Sequence, residues 1–352
     1  MKKVMVLMSG GVDSAVSALL LKERGYDVTG VHLSVCEPYE GEYGKCCSPV
    51  DAFDARRAAD KIGIPFYVLN VRDVFKEMII DNFVKEYLSG RTPNPCIICN
   101  SRIKFGYILK KAISLGFEFV ATGHYARIVP ENGYLKLKKG LDDSRDQSYF
   151  LFELNQENMR HIIFPLGEML KSNVREIAKK YNLPQSRKRE SRGICFIPDG
   201  DHYRFIRERE KLDGSGEILT VDGTLLGYHN GYYKYTIGQR EGLGVATGKR
   251  LYVVRIEPET KRVYVGEEKD ILGRRLILKN FNWIYEEMKV SFEAFAKIRY
   301  KFHLARCRVY PDKDFVEVIF YEPQRAITPG QACVIYSGED VIGGGWIERV
   351  IE

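Results

Sequence analysis

The sequence predicts an α/β chain built on a doubly wound parallel sheet, followed by a small central domain and a C-terminal antiparallel β-barrel. Three observations carry this prediction. Short hydrophobic runs alternate with apolar-periodic segments over the first half of the chain. A Gly-rich turn, Ser9-Gly10-Gly11-Val12-Asp13-Ser14, joins the first run to the first periodic segment. After about Asp199 closely spaced glycines punctuate short segments, and from about Val290 the pattern alternates as half-buried strands do.

The elements follow in order. Strands are expected at Lys3–Met8, Asp27–Val35, Pro65–Val71 and Phe117–Thr122. Helices are expected at Val12–Arg24, Asp51–Ile62, Val74–Leu88 and Arg102–Leu115. Strands separated by helices imply parallel pairing, with ligands at the carboxyl ends of the strands. The turn at Ser9–Asp13 and the tripeptide Thr122-Gly123-His124 both fall at such ends. Residues 147–191 read as helical, most clearly at Asn173–Tyr181. Ala296–Phe302, Arg306–Tyr310, Val316–Tyr321 and Ala332–Tyr336 read as barrel strands. The expected domains are 1–198, 199–280 and 281–352.

With 352 residues and 45% hydrophobic content, the chain can bury more than one core. No apolar run approaches the ~20 residues of a membrane span. Met1-Lys-Lys opens a strand rather than a signal peptide. A cytoplasmic monomer is therefore expected. Net charge is +7, from 54 basic and 47 acidic residues. The basic residues cluster at Lys136–Lys139, Arg187–Arg192 and Arg204–Lys211, either as solvated faces or as nucleic-acid contacts.

The Ser9–Ser14 turn has the chemistry of a phosphate site. Helix N-termini carry unpaired N–H donors and the positive end of the helix dipole. Gly10 and Gly11 permit close backbone approach, and Ser9 and Ser14 offer hydroxyls. Asp13 cannot bind phosphate directly, so its carboxylate suggests a bridging Mg²⁺. An ordinary capped strand-to-helix turn is the simpler alternative. Gly242–Arg250 is not a Walker loop, because its spacing is off by one and Arg250 stands where a hydroxyl is needed. Thr247 at the third Gly position also spoils a dinucleotide fingerprint there.

Eight cysteines fit a reducing compartment. Cys96-Ile-Ile-Cys99 follows Thr92-Pro93-Asn94-Pro95, and the two prolines predict a rigid loop. A zinc deaminase needs an upstream His-x-Glu, which occurs nowhere in the chain. A thioredoxin-like pair leaves the nucleotide loop without a purpose. A sulfur-handling or metal-binding pair remains, beside buried structural thiols. Cys195 follows Arg187, Lys188, Arg189 and Arg192, whose charge favours a thiolate. Cys36, Cys46 and Cys47 receive no chemistry. Cys307 and Cys333 read as barrel core.

The chain resembles the tRNA-specific 2-thiouridylases, the MnmA/TrmU family, nearly end to end. The residues that carry the resemblance are Met8–Ser14, Arg91–Phe105, Ala121–Arg127, Asp146–Leu151, Ser191–Ile197, Tyr235–Gly244 and Thr328–Gln331. The nucleotide loop is of the pyrophosphatase type (PP-loop, adenine nucleotide alpha hydrolase-like), which splits ATP into AMP and pyrophosphate. The resemblance implies ATP-dependent sulfuration of the wobble uridine of tRNA at C2, using ATP, Mg²⁺ and a sulfur donor, either a persulfide carrier or a cysteine desulfurase. It further implies that Cys195 holds a persulfide, that Cys99 is the second catalytic thiol, and that Asp13 helps hold Mg²⁺. Leu7, Met8, Ser9, Gly10, Gly11, Val12, Asp13, Ser14, Leu33 and Gly123 would bind ATP. Asn94, Pro95 and Cys96 would meet the target base. His124, Arg145, Asp146, Gln147, Arg299, Tyr300 and Gln331 would touch tRNA. The base must leave its stack to react, which favours a single-stranded loop.

One departure stands out. Many family members carry Asp where this chain has Cys96. Cys96, Cys99 and Cys195 together match the three ligands of a 4Fe–4S cluster with one open iron. Cluster-bound sulfide and a persulfide are both open routes at this point. A small-molecule adenylating ligase on the same loop, which needs no special cysteines, and a noncatalytic RNA-binding metal protein, which needs no Asp13, are the competing functions.

Overall fold

The computed structural model describes residues 1–35, 49–188, 193–197, 199–245 and 248–351. Cys36, Cys46, Cys47, Arg189, Ser191, Arg192 and Thr247 lie outside them, as do the roles expected of them.

The first unit is a five-stranded parallel sheet. β1 (Lys3–Leu7), β2 (Asp27–Ser34), β3 (Phe66–Asn70) and β4 (Phe119–Ala121) match the expected strands within a few residues. A hairpin follows, β5 (Ala126–Glu131) and β6 (Tyr134–Lys139), and then a two-residue strand, β7 (Ile162–Ile163). The order is β3-β2-β1-β4-β7, so the direction of winding reverses between β1 and β4. β1 is apolar on both faces, as a covered parallel sheet requires. Val4 and Val6 pack into one core with α1 (Val12–Glu23) and α2 (Pro49–Ile62), while Met5 and Leu7 pack into the core on the opposite face.

The segment expected to be a rigid loop at Cys96–Cys99 is helical. It runs through Pro95–Ile98, a wide π-type stretch at Cys99–Ile108, and Leu109–Ser114. Pro95 occupies the first helical position, where the missing N–H costs nothing and its fixed φ favours the helix. The proline that seemed to forbid a helix starts one, and both cysteines ride its first turns.

The hairpin β5–β6 turns at Asn132-Gly133, both with positive φ, the sequence that a tight primed turn favours. The basic run Lys136–Lys139 lies on β6. Lys136 and Lys138 are paired with Glu131 and with Asp340, so this charge is largely spent inside the protein.

The second unit is a four-stranded sheet of β8 (Gly216–Thr220), β9 (Leu225–His229), β10 (Tyr252–Glu257) and β11 (Arg262–Gly266), in the order β10-β11-β8-β9. The third contains β12 (Leu272–Trp283), β13 (Phe292–Lys297), β14 (Ala305–Pro311), β15 (Val316–Arg325), β16 (Ala332–Ser337) and β17 (Asp340–Val350). Pairing of β12 with β17 closes these six into a barrel, and β6 adds to β17 from outside. The expected boundary at residue 280 falls inside β12. Cys307 and Cys333 are fully buried in β14 and β16. Among the described residues no helix is long and apolar enough to cross a membrane.

Candidate functional site

A cavity of about 410 Å³ opens at the carboxyl ends of β1, β2 and β4, where the winding reverses. Leu7, Met8, Ser9, Asp13, Ser14, Leu33 and Gly123 line one side of it. Pro95, Cys96, Cys99, His124, Gln147 and Cys195 line the rest. Loop and thiols, separate in the sequence, thus share one space.

The loop is tightly braced. Gly10 has φ +77, and a Cβ there would lie 2.4 Å from the carbonyl oxygen of Asp51. Gly123 packs its Cα against the start of α1, where a Cβ would lie 2.9 Å from the Asp13 carbonyl carbon and 3.0 Å from Ser14 N. Gly11 takes the N-cap position of α1. Ser14 Oγ donates to Gly11 O at 3.1 Å and accepts from Ser9 N at 3.2 Å. The first-turn N–H groups that follow, beginning at Val12, have no acceptor within their own helix.

Asp13 is not isolated. Lys171 Nζ lies 2.7 Å from both of its carboxylate oxygens, and Tyr125 donates its hydroxyl to Oδ1 at 2.8 Å. On the far side of the loop Lys188 Nζ reaches Asp51 Oδ1 at 2.8 Å, Asp54 Oδ2 at 2.7 Å and Gly10 O at 3.2 Å. Its charge, read in the sequence as acting on Cys195, is tied to two carboxylates beside the loop.

Cys96 is exposed, whereas Cys99 and Cys195 are partly buried. Burial pushes the Cys99 thiol up to about 11; Lys104 pulls it back, and the neighbouring Cys195 pushes it further up. Lys104 Nζ donates to Asn100 Oδ1 at 2.9 Å, and both line the cavity. His124 is buried with Nδ1 2.7 Å from Thr122 Oγ1, and burial, aided by Lys104, holds it well below the usual imidazole range. His32, also in the cavity wall, is lowered by burial and lies 2.8 Å from Met8 O.

The remaining expected contact residues lie outside the cavity wall. Asn94 occupies the N-cap position before Pro95. Arg145 is half-buried on the same loop as Asp146. Asp146 is buried, accepting from Gly140 N, Ser148 N and Ser148 Oγ. Arg299 donates to Ile237 O, Ala326 O and Thr328 Oγ1, bridging the second unit and the barrel. Tyr300 packs its ring 4.4 Å from that of Phe150, which itself lines the cavity. Gln331 donates to Thr92 O and Pro93 O.

Lys104, Asn100, Tyr125, Lys171 and His32 were not singled out from the sequence. The positions 96, 100 and 104 lie on one helical face, a signal hidden by reading Cys96–Cys99 as loop. Lys171 has no local signal.

Two metal groups can be weighed against these residues. Mg²⁺ commonly takes one or two carboxylates, with phosphates and waters completing its shell. Asp13, accepting two bonds at Oδ1 and one at Oδ2, keeps a lone pair for such an ion. The residues therefore fit a nucleotide-carried Mg²⁺. An iron–sulfur cluster fares differently. Among the described residues no three of His, Cys, Asp and Glu are grouped to hold a metal ion. Cys96, Cys99 and Cys195 border one cavity without forming such a group, so the described residues lend the cluster no support.

A braced Gly-rich loop at the switch point of a parallel sheet, with two β-modules appended, defines an α/β protein of the HUP, PP-loop class. Family models described as tRNA methyl transferase HUP domain, tRNA methyl transferase PRC-barrel domain and aminomethyltransferase beta-barrel domain match residues 2–199, 204–267 and 273–347. A protein of Carboxydothermus hydrogenoformans named tRNA-specific 2-thiouridylase MnmA is 50% identical, over 99% of this chain and 98% of its own. Proteins of the same name from Clostridium acetobutylicum and Geotalea uraniireducens are each 48% identical, over 99% of this chain and 99% and 96% of theirs. A solved 4-thiouridine synthetase–RNA complex with bound ATP overlaps loosely, at 18% identity over 59% of this chain and 50% of that one, with a TM-score of 0.38. The chain belongs to the family of tRNA-specific 2-thiouridylases.

Proposed function

We propose that the protein is an ATP-dependent tRNA-uridine 2-sulfurtransferase that works through a cysteine persulfide. The single observation that carries this reading is the shared cavity, which borders both the Ser9–Ser14 loop and the thiols of Cys99 and Cys195.

A uridine C2 oxygen is a poor leaving group, and ATP corrects that. The oxygen attacks the α-phosphorus of ATP, the α–β bridging bond breaks, and pyrophosphate leaves. The first turn of α1, with Ser9, stabilises the charge that develops on the phosphates. Mg²⁺, when bound, supplies further charge neutralisation; Asp13 would hold it. Leu33 would border the adenine, and Gly123, lacking a Cβ, lets its segment pack close on the start of α1 beside the phosphates.

Sulfur transfer follows. A donor protein or small persulfide loads sulfane sulfur on Cys195. The terminal sulfur attacks C2, the C2–O bond breaks, and AMP leaves. Cys99, as thiolate, then attacks Cys195 Sγ. The S–S bond breaks, the 2-thiouridine sulfur departs with the electron pair, and a Cys99–Cys195 disulfide remains. An external thiol reductant supplies the two electrons that reset it. Asn94, Pro95 and Cys96 border the extruded base, and the tRNA rests across His124, Arg145, Gln147 and the barrel. This route uses two thiols and needs no cluster.

The descriptions of two matching family models speak of methyl transfer on tRNA, while the relatives are named for thiolation. The cysteine pair in the cavity favours sulfur. The test is direct. Purified protein, ATP, a persulfide donor and unmodified tRNA should yield 2-thiouridine with AMP and pyrophosphate in equal amounts. Thiolation without ATP cleavage, or a methylated product, would overturn the proposal.

A further inference from the structure

The Ser9–Ser14 loop contains no lysine, yet one reaches its carboxylate from 158 residues away. Lys171 opens the helix Lys171–Lys180. A cation at a helix N-terminus faces the positive end of the dipole, so local electrostatics disfavour it there. It is also only 7% exposed, and burying an ammonium is costly unless it is paired. Asp142 Oδ2 accepts from the Lys171 backbone N–H at 2.9 Å, which steadies the helix start and leaves the ammonium to Asp13. Its position at a helix start does not account for this lysine, whereas its contact with Asp13 gives the buried charge a partner.

The contact has a definite geometry. Nζ is 2.7 Å from both oxygens of Asp13, and the hydroxyl of Tyr125, itself 2% exposed, closes on Oδ1 at 2.8 Å. Lys171 Nζ also lies 5.7 Å from the centre of the Tyr125 ring. A carboxylate has about four acceptor positions. Three are used, two on Oδ1 and one on Oδ2. Asp13 lines the cavity, while neither Lys171 nor Tyr125 does.

We propose that Lys171, seconded by Tyr125, is a positioning residue that fixes the Asp13 carboxylate in one orientation, so that it meets a nucleotide-borne divalent cation through a single lone pair on Oδ2. Lys171 acts through Asp13 and does not touch the phosphates. The inference rests on the ATP-site reading given above.

A double-mutant cycle tests it, using Lys171→Met, Asp13→Asn and the pair, with Lys171→Arg as a charge-retaining control. The readouts are ATP affinity by calorimetry in Mn²⁺, Mn²⁺ binding by electron paramagnetic resonance with a non-hydrolysable ATP analogue, and thermal unfolding. Lys171→Met should weaken metal–nucleotide binding about tenfold. It should do nothing further once Asp13 is Asn, because the two act as one unit. Lys171→Arg should recover part of the affinity. If Lys171→Met does not fold, the same comparison is made with Lys171→Arg alone and on the Asp13→Asn background. Equal affinity in variant and wild type, or additive losses in the double variant, would overturn the inference alone. Failure of the wild type to bind ATP would overturn the adenylation reading and the inference with it.

Discussion

Gln331, on the turn before the barrel strand β16, donates through Nε2 to the backbone oxygens of Thr92 and Pro93, at 2.9 and 3.1 Å. The acceptors lie just ahead of Pro95, where the helix bearing Cys96 and Cys99 begins. A barrel residue therefore sets the entry angle of the cysteine helix.

Gln331→Ala should accordingly behave as a positioning variant. Removing two hydrogen bonds is expected to cost about 1–2 kcal/mol of stability. The thiolation rate should fall while tRNA affinity changes little. Thermal unfolding, filter binding and single-turnover thiolation measure the three quantities. A loss of tRNA affinity at unchanged stability would instead make Gln331 an RNA contact.

Cys195→Ser and Cys99→Ser should both abolish 2-thiouridine but stop at different points. Cys195→Ser carries no sulfur and should never join to tRNA. Cys99→Ser should accumulate a tRNA–S–S–Cys195 adduct that an added thiol releases. Denaturing gels with and without reductant show the difference, and a free 2-thiouridine product from either variant without added thiol would contradict the scheme.

The raised Cys99 thiol gives the final step a pH signature. Below about 11 the group is mostly protonated, so its thiolate fraction grows about tenfold per pH unit. Single-turnover release of thiolated tRNA should rise with unit slope between pH 7 and 9 when this step limits the rate. Lys104→Met removes the cation that pulls the thiol down and should lower the rate at every pH in that window, leaving ATP affinity unchanged.

Gly123→Ala tests the close packing of this glycine on the start of α1. The added methyl would meet backbone atoms of Asp13 and Ser14 at 2.9 and 3.0 Å, which side-chain rotation cannot relieve. Overpacking of this kind costs about 1–3 kcal/mol. ATP affinity should drop about tenfold or more, read by calorimetry, with tRNA affinity retained.

Local signals in the sequence were enough for the first four sheet strands, the loop and the barrel strands β14, β15 and β16, because each rests on spacing within a dozen residues; the two-residue strand β7 fell inside the stretch read as helical, and Ala296–Phe302 overlaps β13 only at its end. Two local signals were missed. Asn132-Gly133 marked a hairpin, and Pro95 marked a helix start rather than a loop. The other misses were not local. The Asp13–Lys171 pair spans 158 positions and the Gln331–Thr92 bond spans 239. Lys136 has one partner nearby, Glu131, but its second, Asp340, lies 204 positions later. No window of sequence holds both members of such a pair. The sequence also placed the three thiols together by analogy, whereas a grouping fit for a cluster depends on side-chain distances that only the fold sets.

The hairpin β5–β6 has an unexpected neighbour in time. Its outer strand pairs with β17, where Lys138 faces Asp340 and Lys139 N–H meets Glu339 O. On the ribosome, the nucleotide-binding unit is finished long before this partner is synthesised. The edge of β6 waits through some two hundred residues of elongation, with Lys136 and Lys138 holding only Glu131 of their own hairpin. Those lysines are the sort of residue that discourages stray strand pairing at an open edge. The same two charges thus guard the edge during synthesis and become its latch when the final strand arrives.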